Sequence, residues 1–236
     1  MLQVTYVAVL FLLTVNLVVL VHSSGHFIAA RLLGIGVESV SVGLGPSIFS
    51  FSGHETTWRI CWLPVGGYVR VHTNDKRGAV AKSIGVVLSG PLLSVVFALG
   101  VFLVLFTTKG APAIQGGEAV VIRQSVLDGL IAAVRVLVST WTIWRIDAFD
   151  AFASVYDTPI ARFAALVAVW SSKFGIVNLL PLPKLDGSSI LRLTLTAMAS
   201  DHTDQVMKWV LRAIIILVAL VMTAATINDL VRFNLF

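Results

Sequence analysis

Long runs of apolar residues constrain this chain more than any other feature of its sequence. Crossing the hydrocarbon core of a bilayer takes roughly 20 apolar residues in a helix. Four stretches reach that length, at about 4–33, 84–106, 160–182 and 209–228. Hydrophobic residues make up 57% of the chain and charged residues only 12%, about half the charged share of a soluble domain. We therefore expect an all-α polytopic membrane protein with about four transmembrane helices, forming one domain over residues 1–236.

Two apolar segments have an alternative to spanning the membrane. Residues 126–144 are apolar, but Asp128 and Arg135 interrupt them, which favours an amphipathic helix at the membrane interface over a fifth span. The first apolar run lacks the basic N-terminal region and the small-residue cleavage site of a signal peptide, and it contains histidines. We expect it to stay in the mature protein as the first span.

The segment between the first two apolar runs has the pattern of a β-sheet. Val40 and Val42 alternate with Ser39 and Ser41, which is the period-two pattern of a strand. The following stretch, TTWRICWLPVGGYVRVH, is rich in β-forming residues and contains a PVGG turn. We predict a small sheet over residues 37–72 that dips into the membrane, where non-helical backbone is tolerated only beside protein or a wet cavity.

The cysteine count and the net charge exclude some kinds of site and partner. Cys61 is the one cysteine of the chain, so neither an internal disulfide nor a cysteine-built zinc cage can form. The formal net charge is +5, but there is no dense basic run. Basic residues that flank membrane spans account for this charge, and we expect no nucleic acid among the partners.

The stretch VHSSGH places two histidines four residues apart inside the first apolar run. On a helix, His22 and His26 lie one turn apart on the same face, where they could bind a metal ion together or pack as ordinary side chains. Ionisable groups within a membrane span are costly and usually functional, yet the spacing alone leaves both interpretations open. Asp186 follows two prolines in NLLPLPKLDGSSIL, where the helix should break. It could cap a helix, bind a metal or face solvent.

Together, these segments resemble the site-2 protease family of intramembrane zinc metalloproteases, in its bacterial branch for regulated intramembrane proteolysis. VHSSGHF is similar to the family's H-E-x-x-H-F helix, and LPVGGYVRV is similar to its I-P-L-G-G-Y-V hairpin. LSGPLLSVVFA is similar to its A-G-P-x-x-N span, VNLLPLPKLDG to its N-L-L-P-I-P-x-L-D-G motif, and INDLVRF to its closing N-D-I-x-R. The resemblance covers nearly the whole chain, and its motifs come in the family's order.

The resemblance implies a cofactor, a partner and a location. His22, His26 and Asp186 match the family's metal ligands, which implies a zinc cofactor. Five residues match positions that handle the substrate: Asn178, Ser94, Gly66, Gly67 and Tyr68. The implied partner is a membrane-embedded protein segment, held beside the hairpin by β-augmentation. The implied location is the bacterial inner membrane, which the chain would cross several times.

Position 23 departs from the family's pattern in the residue that carries the chemistry. Ser23 stands where H-E-x-x-H has glutamate, the general base that takes a proton from the attacking water. A serine hydroxyl is a poor proton acceptor, and loss of a general base typically costs on the order of 10²–10⁴ in rate. The three glutamates of the chain, Glu38, Glu55 and Glu118, do not follow His22 directly as that base does.

Further departures concern substrate positions and an inserted domain. Ser94 replaces the asparagine of G-P-x-x-N, and Ser188 stands where many relatives have the second glycine of L-D-G-G-H. Many relatives insert PDZ domains after the second span, whereas residues 107–125 are too few to hold one. Two interpretations follow. One is a catalytically impaired pseudoprotease that keeps the metal site and binds transmembrane segments or a larger membrane complex. The other is an active protease that cleaves a membrane-anchored protein.

Overall fold

Within the residues that it describes, the computed structural model consists of helices and small antiparallel sheets. It describes residues 2–53, 55–71, 77–115, 118–122, 127–134, 156, 158–198, 209, 212, 213 and 216. In chain order the elements are α1 (Leu2–Leu32), β1 (Val37–Gly53), β2 (Thr56–Val71), α2 (Arg77–Thr108), β3 (Ala111–Gln115), β4 (Glu118–Ile122), α3 (Pro159–Asn178) and α4 (Asp186–Met198). Residues 127–134 are also helical.

Three of the four predicted spans are confirmed as helices that are long and apolar enough to cross a membrane. They cover Ala8–Leu32, Val80–Thr108 and Pro159–Asn178. The fourth predicted span, 209–228, lies outside the described residues except for isolated positions. Residues 127–134 are helical, in agreement with the amphipathic helix predicted over 126–144. The rest of that predicted helix lies outside the described residues. The chain is thus a polytopic membrane protein.

The third span ends earlier than the sequence predicted. Helix α3 begins at Pro159, where the Thr158 side chain accepts a hydrogen bond from the Ala161 amide, a common N-cap arrangement. It ends at Asn178 rather than near residue 182, and the Leu179 amide caps it by bonding to the last carbonyl groups. Since Pro181 cannot donate a backbone hydrogen bond to the preceding turn, the helix has no way to continue through this motif.

The predicted sheet between α1 and α2 is confirmed, and it is folded more tightly than a simple hairpin. Strands β1 and β2 pair antiparallel. Within that pairing, residues 39–42 face 67–70 in descending order and also face 57–60 in ascending order, while residues 47–53 pair with 56–61. The first part of β1 therefore lies inside the sheet, and the segment around residues 67–71 forms one of its edges.

A second hairpin was not predicted. Strands β3 and β4 pair antiparallel from Ala111 opposite Ile122 to Gln115 opposite Glu118. In the sequence, Gly116 and Gly117 separate two short apolar runs, which is a recognised hairpin signal.

Of the three spanning helices, α1 and α3 both pack against α2. In one cluster, Phe102 and Phe106 of α2 contact Ala165 and Ala168 of α3. In a second cluster, Ala30 at the end of α1 packs with Val86 of α2 and with the start of β1. Small residues at these contacts let helix backbones approach closely in a membrane. This packing brings the middle of α2 next to the histidine turn of α1 and the last turns of α3.

Candidate metal centre

Three side chains from distant parts of the sequence converge where α1, α2 and α4 meet. Nε2 of His22 lies 2.9 Å from Oδ2 of Asp186, and Nε2 of His26 lies 3.4 Å from the same oxygen. The two Nε2 atoms are 3.1 Å apart. These three side chains lie close enough together to hold a metal ion, and they are the group that the described His, Cys, Asp and Glu residues provide for one.

The spacing of these three atoms fits a tetrahedral metal ion. Zinc ligands at about 2.0–2.1 Å in tetrahedral geometry stand roughly 3.3 Å from each other, and the measured separations lie between 2.9 and 3.4 Å. Two imidazoles and one carboxylate, with a fourth position open, make a ligand set used by catalytic zinc sites. The geometry therefore fits a zinc ion held by His22, His26 and Asp186.

The second nitrogen of each imidazole also has a partner. Nδ1 of His26 donates to the carbonyl oxygen of Val86 at 2.8 Å, and Nδ1 of His22 lies 3.2 Å from Oγ of Ser94. A proton on each Nδ1 leaves each Nε2 lone pair free for a metal, and such partners fix the orientation of ligating histidines. The Phe174 ring packs edge-on against His22 with the ring centroids 4.9 Å apart, so three helices hold this imidazole.

Asp186 is placed by the turn that follows α3. It is the first residue of α4, after a seven-residue break in which Lys184 adopts a positive φ of 71°. A Cβ atom on the next residue, Gly187, would collide with the carbonyl oxygens of Leu179 and Leu180, so only glycine lets the turn close this tightly. Burial raises the pKa of the Asp186 carboxyl, but the adjacent imidazoles of His22 and His26 outweigh burial and lower the pKa to about 2. The carboxylate is ionised and suited to bind a cation.

A close approach of α2 to α1 leaves room for the second histidine. A Cβ atom on Gly90 would overlap the imidazole ring of His26. The ring can therefore reach Val86 and the metal position only because residue 90 has no side chain. This glycine belongs to the LSGP stretch of α2.

Ser23 lies beside a cavity rather than in the ligand cluster. The cavity has a volume of about 120 Å³ and lies between α1 and the sheet, with Ser23, Ser24, Gly66, Gly67 and Val69 among its lining residues. Ser23 follows His22 directly, so it is rotated by about 100° around the axis of α1. No aspartate or glutamate lines this cavity within the described part of the chain.

The five residues predicted to handle substrate are not all in one place. Gly66 and Gly67 line the cavity. The Asn178 side chain donates to the Phe174 carbonyl in its own helix at 2.8 Å and is 6% exposed. Tyr68 does not line the cavity; it pairs with Ser41 in the sheet. Ser94 is fully buried and reaches His22, so in this structure it supports a ligand.

The residues that support the two histidines were not predicted from the sequence. Val86 acts through its backbone carbonyl, for which a sequence holds no signal. Phe174 and Gly90 lie in recognisable stretches, but their contacts with the imidazoles depend on how the helices pack. The two glutamates whose side chains the structure describes do not replace the base: Glu38 lies 3.6 Å from Arg70, and Glu55 is exposed at the turn between β1 and β2.

Comparison with curated proteins gives relatives with a consistent name. A protein of Mesorhizobium japonicum is 35% identical over 131 residues, covering 45% of this chain and 35% of its own length. One of Brucella suis biovar 1 is 29% identical over 195 residues, covering 72% of this chain and 47% of its own length. One of Thermotoga maritima is 34% identical over 129 residues, covering 49% of this chain and 26% of its own length. All three carry the name "Putative zinc metalloprotease".

The alignments cover less than half the length of each of these relatives, so their names describe larger proteins than the matched part. The model of peptidase family M50 matches residues 10–222, which include His22, His26, Asp186 and all of the three spanning helices except the start of the first. The chain belongs to peptidase family M50, the site-2 protease family of membrane metalloproteases.

Proposed function

We propose that this protein binds a transmembrane segment of another protein beside a zinc ion and that it cleaves peptide bonds poorly or not at all. One observation carries the proposal: the metal ligands are assembled and supported, while the neighbouring position that should supply the general base is Ser23. The proposed location is the bacterial inner membrane, where the protein acts alone or as a subunit of a larger membrane complex.

A metallopeptidase site needs residues that bind the metal and a residue that transfers a proton. Zinc, when bound, supplies a Lewis acid that polarises a carbonyl group and lowers the pKa of water. His22, His26 and Asp186 hold that ion, and Ser94 and Val86 orient the imidazoles. Proton transfer from the attacking water to the leaving nitrogen needs a group that accepts a proton near neutral pH. The hydroxyl of Ser23 does not do so.

The cavity beside Ser23 supports binding of an extended segment. Its floor is α1 and its wall is the edge of the sheet near Gly66 and Gly67. An extended chain can add to such an edge through its main-chain groups. Because the cavity is lined mainly by apolar side chains and glycines, a segment from a membrane helix suits it better than a charged one.

An active protease is the second candidate. It is supported by the intact ligand cluster, with its outer nitrogens paired, and by the metalloprotease names of the relatives. On this hypothesis, a metal held by His22, His26 and Asp186 would supply Lewis-acid chemistry, and hydrolysis would be slow because no side chain acts as the base. The two candidates differ in the rate of cleavage and share the binding site.

Co-expression with a panel of single-span reporter proteins, tagged at both ends, separates the two candidates. The proposal predicts that the wild-type protein co-purifies with some reporters and leaves them intact, and that Val42→Trp, which enlarges a side chain lining the cavity, loses this association. Cleavage of any reporter by the wild-type protein at a rate within tenfold of the Ser23→Glu variant would support the active protease instead. Reporters that neither bind nor break would contradict both.

A further inference from the structure

The sheet formed by β1 and β2 has two faces of opposite character. Residues that pair directly across strands point to the same face. Val40 pairs with both Val69 and Trp58. All three line the cavity against α1, and Trp58 packs on Phe27 of that helix. This apolar face therefore looks towards α1.

The opposite face carries arginine and hydroxyl side chains. Ser39 pairs with Arg70 and with Thr57, and Ser41 pairs with Tyr68 and with Arg59. By the same rule, these six side chains lie on the face of the sheet opposite Val40, although Ser41 also borders the cavity. We call this set of six residues the arginine face.

Two polar groups of the arginine face are not satisfied within the part of the chain that the structure describes. Oγ of Ser39 is buried, with the residue 2% exposed, and it has no hydrogen-bond partner. The Arg59 side chain is half-buried and forms no hydrogen bond or ion pair with a described residue. A buried hydroxyl without a partner costs roughly 1–3 kcal/mol, so this oxygen is a site that a polar ligand would satisfy.

Arg70 is held only weakly. Its Nη1 atom lies 3.6 Å from Oε1 of Glu38, and both side chains are about half exposed at 58% and 48%. Its guanidinium also lies over the Tyr68 ring, 5.8 Å from the centroid. Exposed ion pairs of this kind contribute little, so a stronger anion can draw Arg70 away from Glu38 and uncover Ser39, which is opposite it in the sheet.

The spacing of the two arginines suits a single phosphate group. They lie on segments separated by one intervening strand and are offset by two residues along it. Standard strand spacings then place their Cα atoms roughly 12 Å apart. Two arginine side chains can converge on one phosphate across that distance, and guanidinium groups bind phosphate oxygens in pairs.

The apolar side chains around this face indicate that the phosphate belongs to a lipid. At the far end of the sheet, Ile48, Phe49, Trp62 and Leu63 are exposed by 67%, 57%, 73% and 48%. An amphipathic element with large apolar side chains on one side and arginines on the other lies in the membrane interface, with the cations at the level of the headgroups. A free phosphate in solution would not need such surroundings.

We propose that the arginine face is a binding site for the headgroup phosphate of an anionic phospholipid, contacted by Arg59, Arg70 and the Ser39 hydroxyl. Occupation of this site fixes the height of the sheet in the membrane. The site lies on the face of the sheet turned away from the metal centre and the cavity, and it does not depend on whether the protein is a protease.

The test uses the detergent-solubilised full chain and soluble dihexanoyl phospholipids. Binding is measured by native mass spectrometry for the phosphatidylglycerol and phosphatidylcholine forms and for inorganic phosphate. Each basic residue near an anionic surface contributes a factor of about five in binding. We expect Arg59→Gln and Arg70→Gln each to weaken phosphatidylglycerol binding about fivefold, and Ser39→Ala to weaken it without a change in charge.

Matched controls keep the result interpretable. Lys109→Gln removes one exposed positive charge at the end of α2 and should leave lipid binding unchanged, and a thermal melt of each variant checks that it is folded. Equal binding of phosphatidylglycerol by the wild-type protein and the double arginine variant would overturn the proposal. Binding of inorganic phosphate with the affinity of the lipid would overturn the assignment to a lipid.

Discussion

Two neighbouring faces of helix α1 differ in the functional groups that surround them. On one face, His22 and His26 meet Asp186 at hydrogen-bonding distances, and a carbonyl, a hydroxyl and an aromatic ring support them. On the adjacent face, Ser23 borders a cavity without any acidic lining residue among those described. One helix turn thus carries the two histidines of the candidate metal centre and, between them, a serine where the H-E-x-x-H motif has glutamate.

The comparison shows that metal binding and proton transfer place separate demands on a sequence. The ligands need distant residues to converge, so their loss would disturb the packing of α1, α2 and α4 together. The base is one side chain facing a cavity, and its replacement by serine leaves that packing intact. A chain can therefore lose the second function and keep the first.

Restoring the missing base should give the largest effect on this comparison. Ser23→Glu places a carboxylate beside the cavity, directly after His22. We expect cleavage of a bound reporter to rise on the order of 10²–10⁴-fold, the usual contribution of a general base. The measurement is the rate at which cleaved reporter accumulates on a gel in reconstituted vesicles.

The matched control is Ser23→Gln, which has the shape of glutamate but accepts no proton near neutral pH. It should cleave no faster than the wild-type protein. If the glutamate and glutamine variants are equally inactive while still binding zinc and reporter, then more than the base has been lost from the cavity side of α1.

A substitution beside the metal ligands should have the next largest effect, which is on zinc affinity. In Gly90→Ala, the new methyl group overlaps the His26 imidazole, so the ring must leave its place. We expect zinc affinity to fall on the order of 100-fold, towards the upper end of the range for disturbed ligand support. Competition with a chelator of known affinity measures it.

Gly100→Ala is the matched control for this substitution, because it lies in the same helix and a Cβ atom there meets nothing within 4 Å. Its zinc affinity should equal that of the wild-type protein. Unchanged affinity in Gly90→Ala would show that His26 does not hold the metal in the position described.

The smallest expected effect comes from the support of His22. Ser94→Ala removes the hydroxyl that lies 3.2 Å from Nδ1 of His22, and we expect zinc affinity to fall about tenfold. Ser172→Ala is the control, since this serine is equally buried but donates to the Val169 carbonyl in its own helix. If the two variants bind zinc equally, Ser94 acts on something other than the ligand.

The sequence predicted the parts of the fold that are periodic. Three spans follow from runs of apolar residues, and the sheet follows from the alternation around Val40 and Ser41. The β3–β4 hairpin was missed because its strands are short, and the end of α3 was placed too late because apolar residues continue through Leu182. Hydropathy does not indicate where a backbone turns, whereas helix-capping residues and prolines do.

The site was predictable only through resemblance. His22 and His26 are linked by helical spacing, but Asp186 is 164 residues from His22, and no local pattern brings them together. The resemblance assigned Ser94 to the substrate, whereas the packing of α2 against α1 turns its hydroxyl towards His22. That contact depends on the rotation of two helices, which single-sequence periodicity does not determine.

We propose that His22, His26 and Asp186 hold a metal ion although position 23 carries serine. The zinc content of the purified, detergent-solubilised protein, after incubation with zinc and removal of the excess, tests this directly beside a His26→Ala control. We expect about one zinc per chain in the wild-type protein, as for a three-ligand site, and almost none in the control. No zinc in either protein, or equal zinc in both, would contradict it.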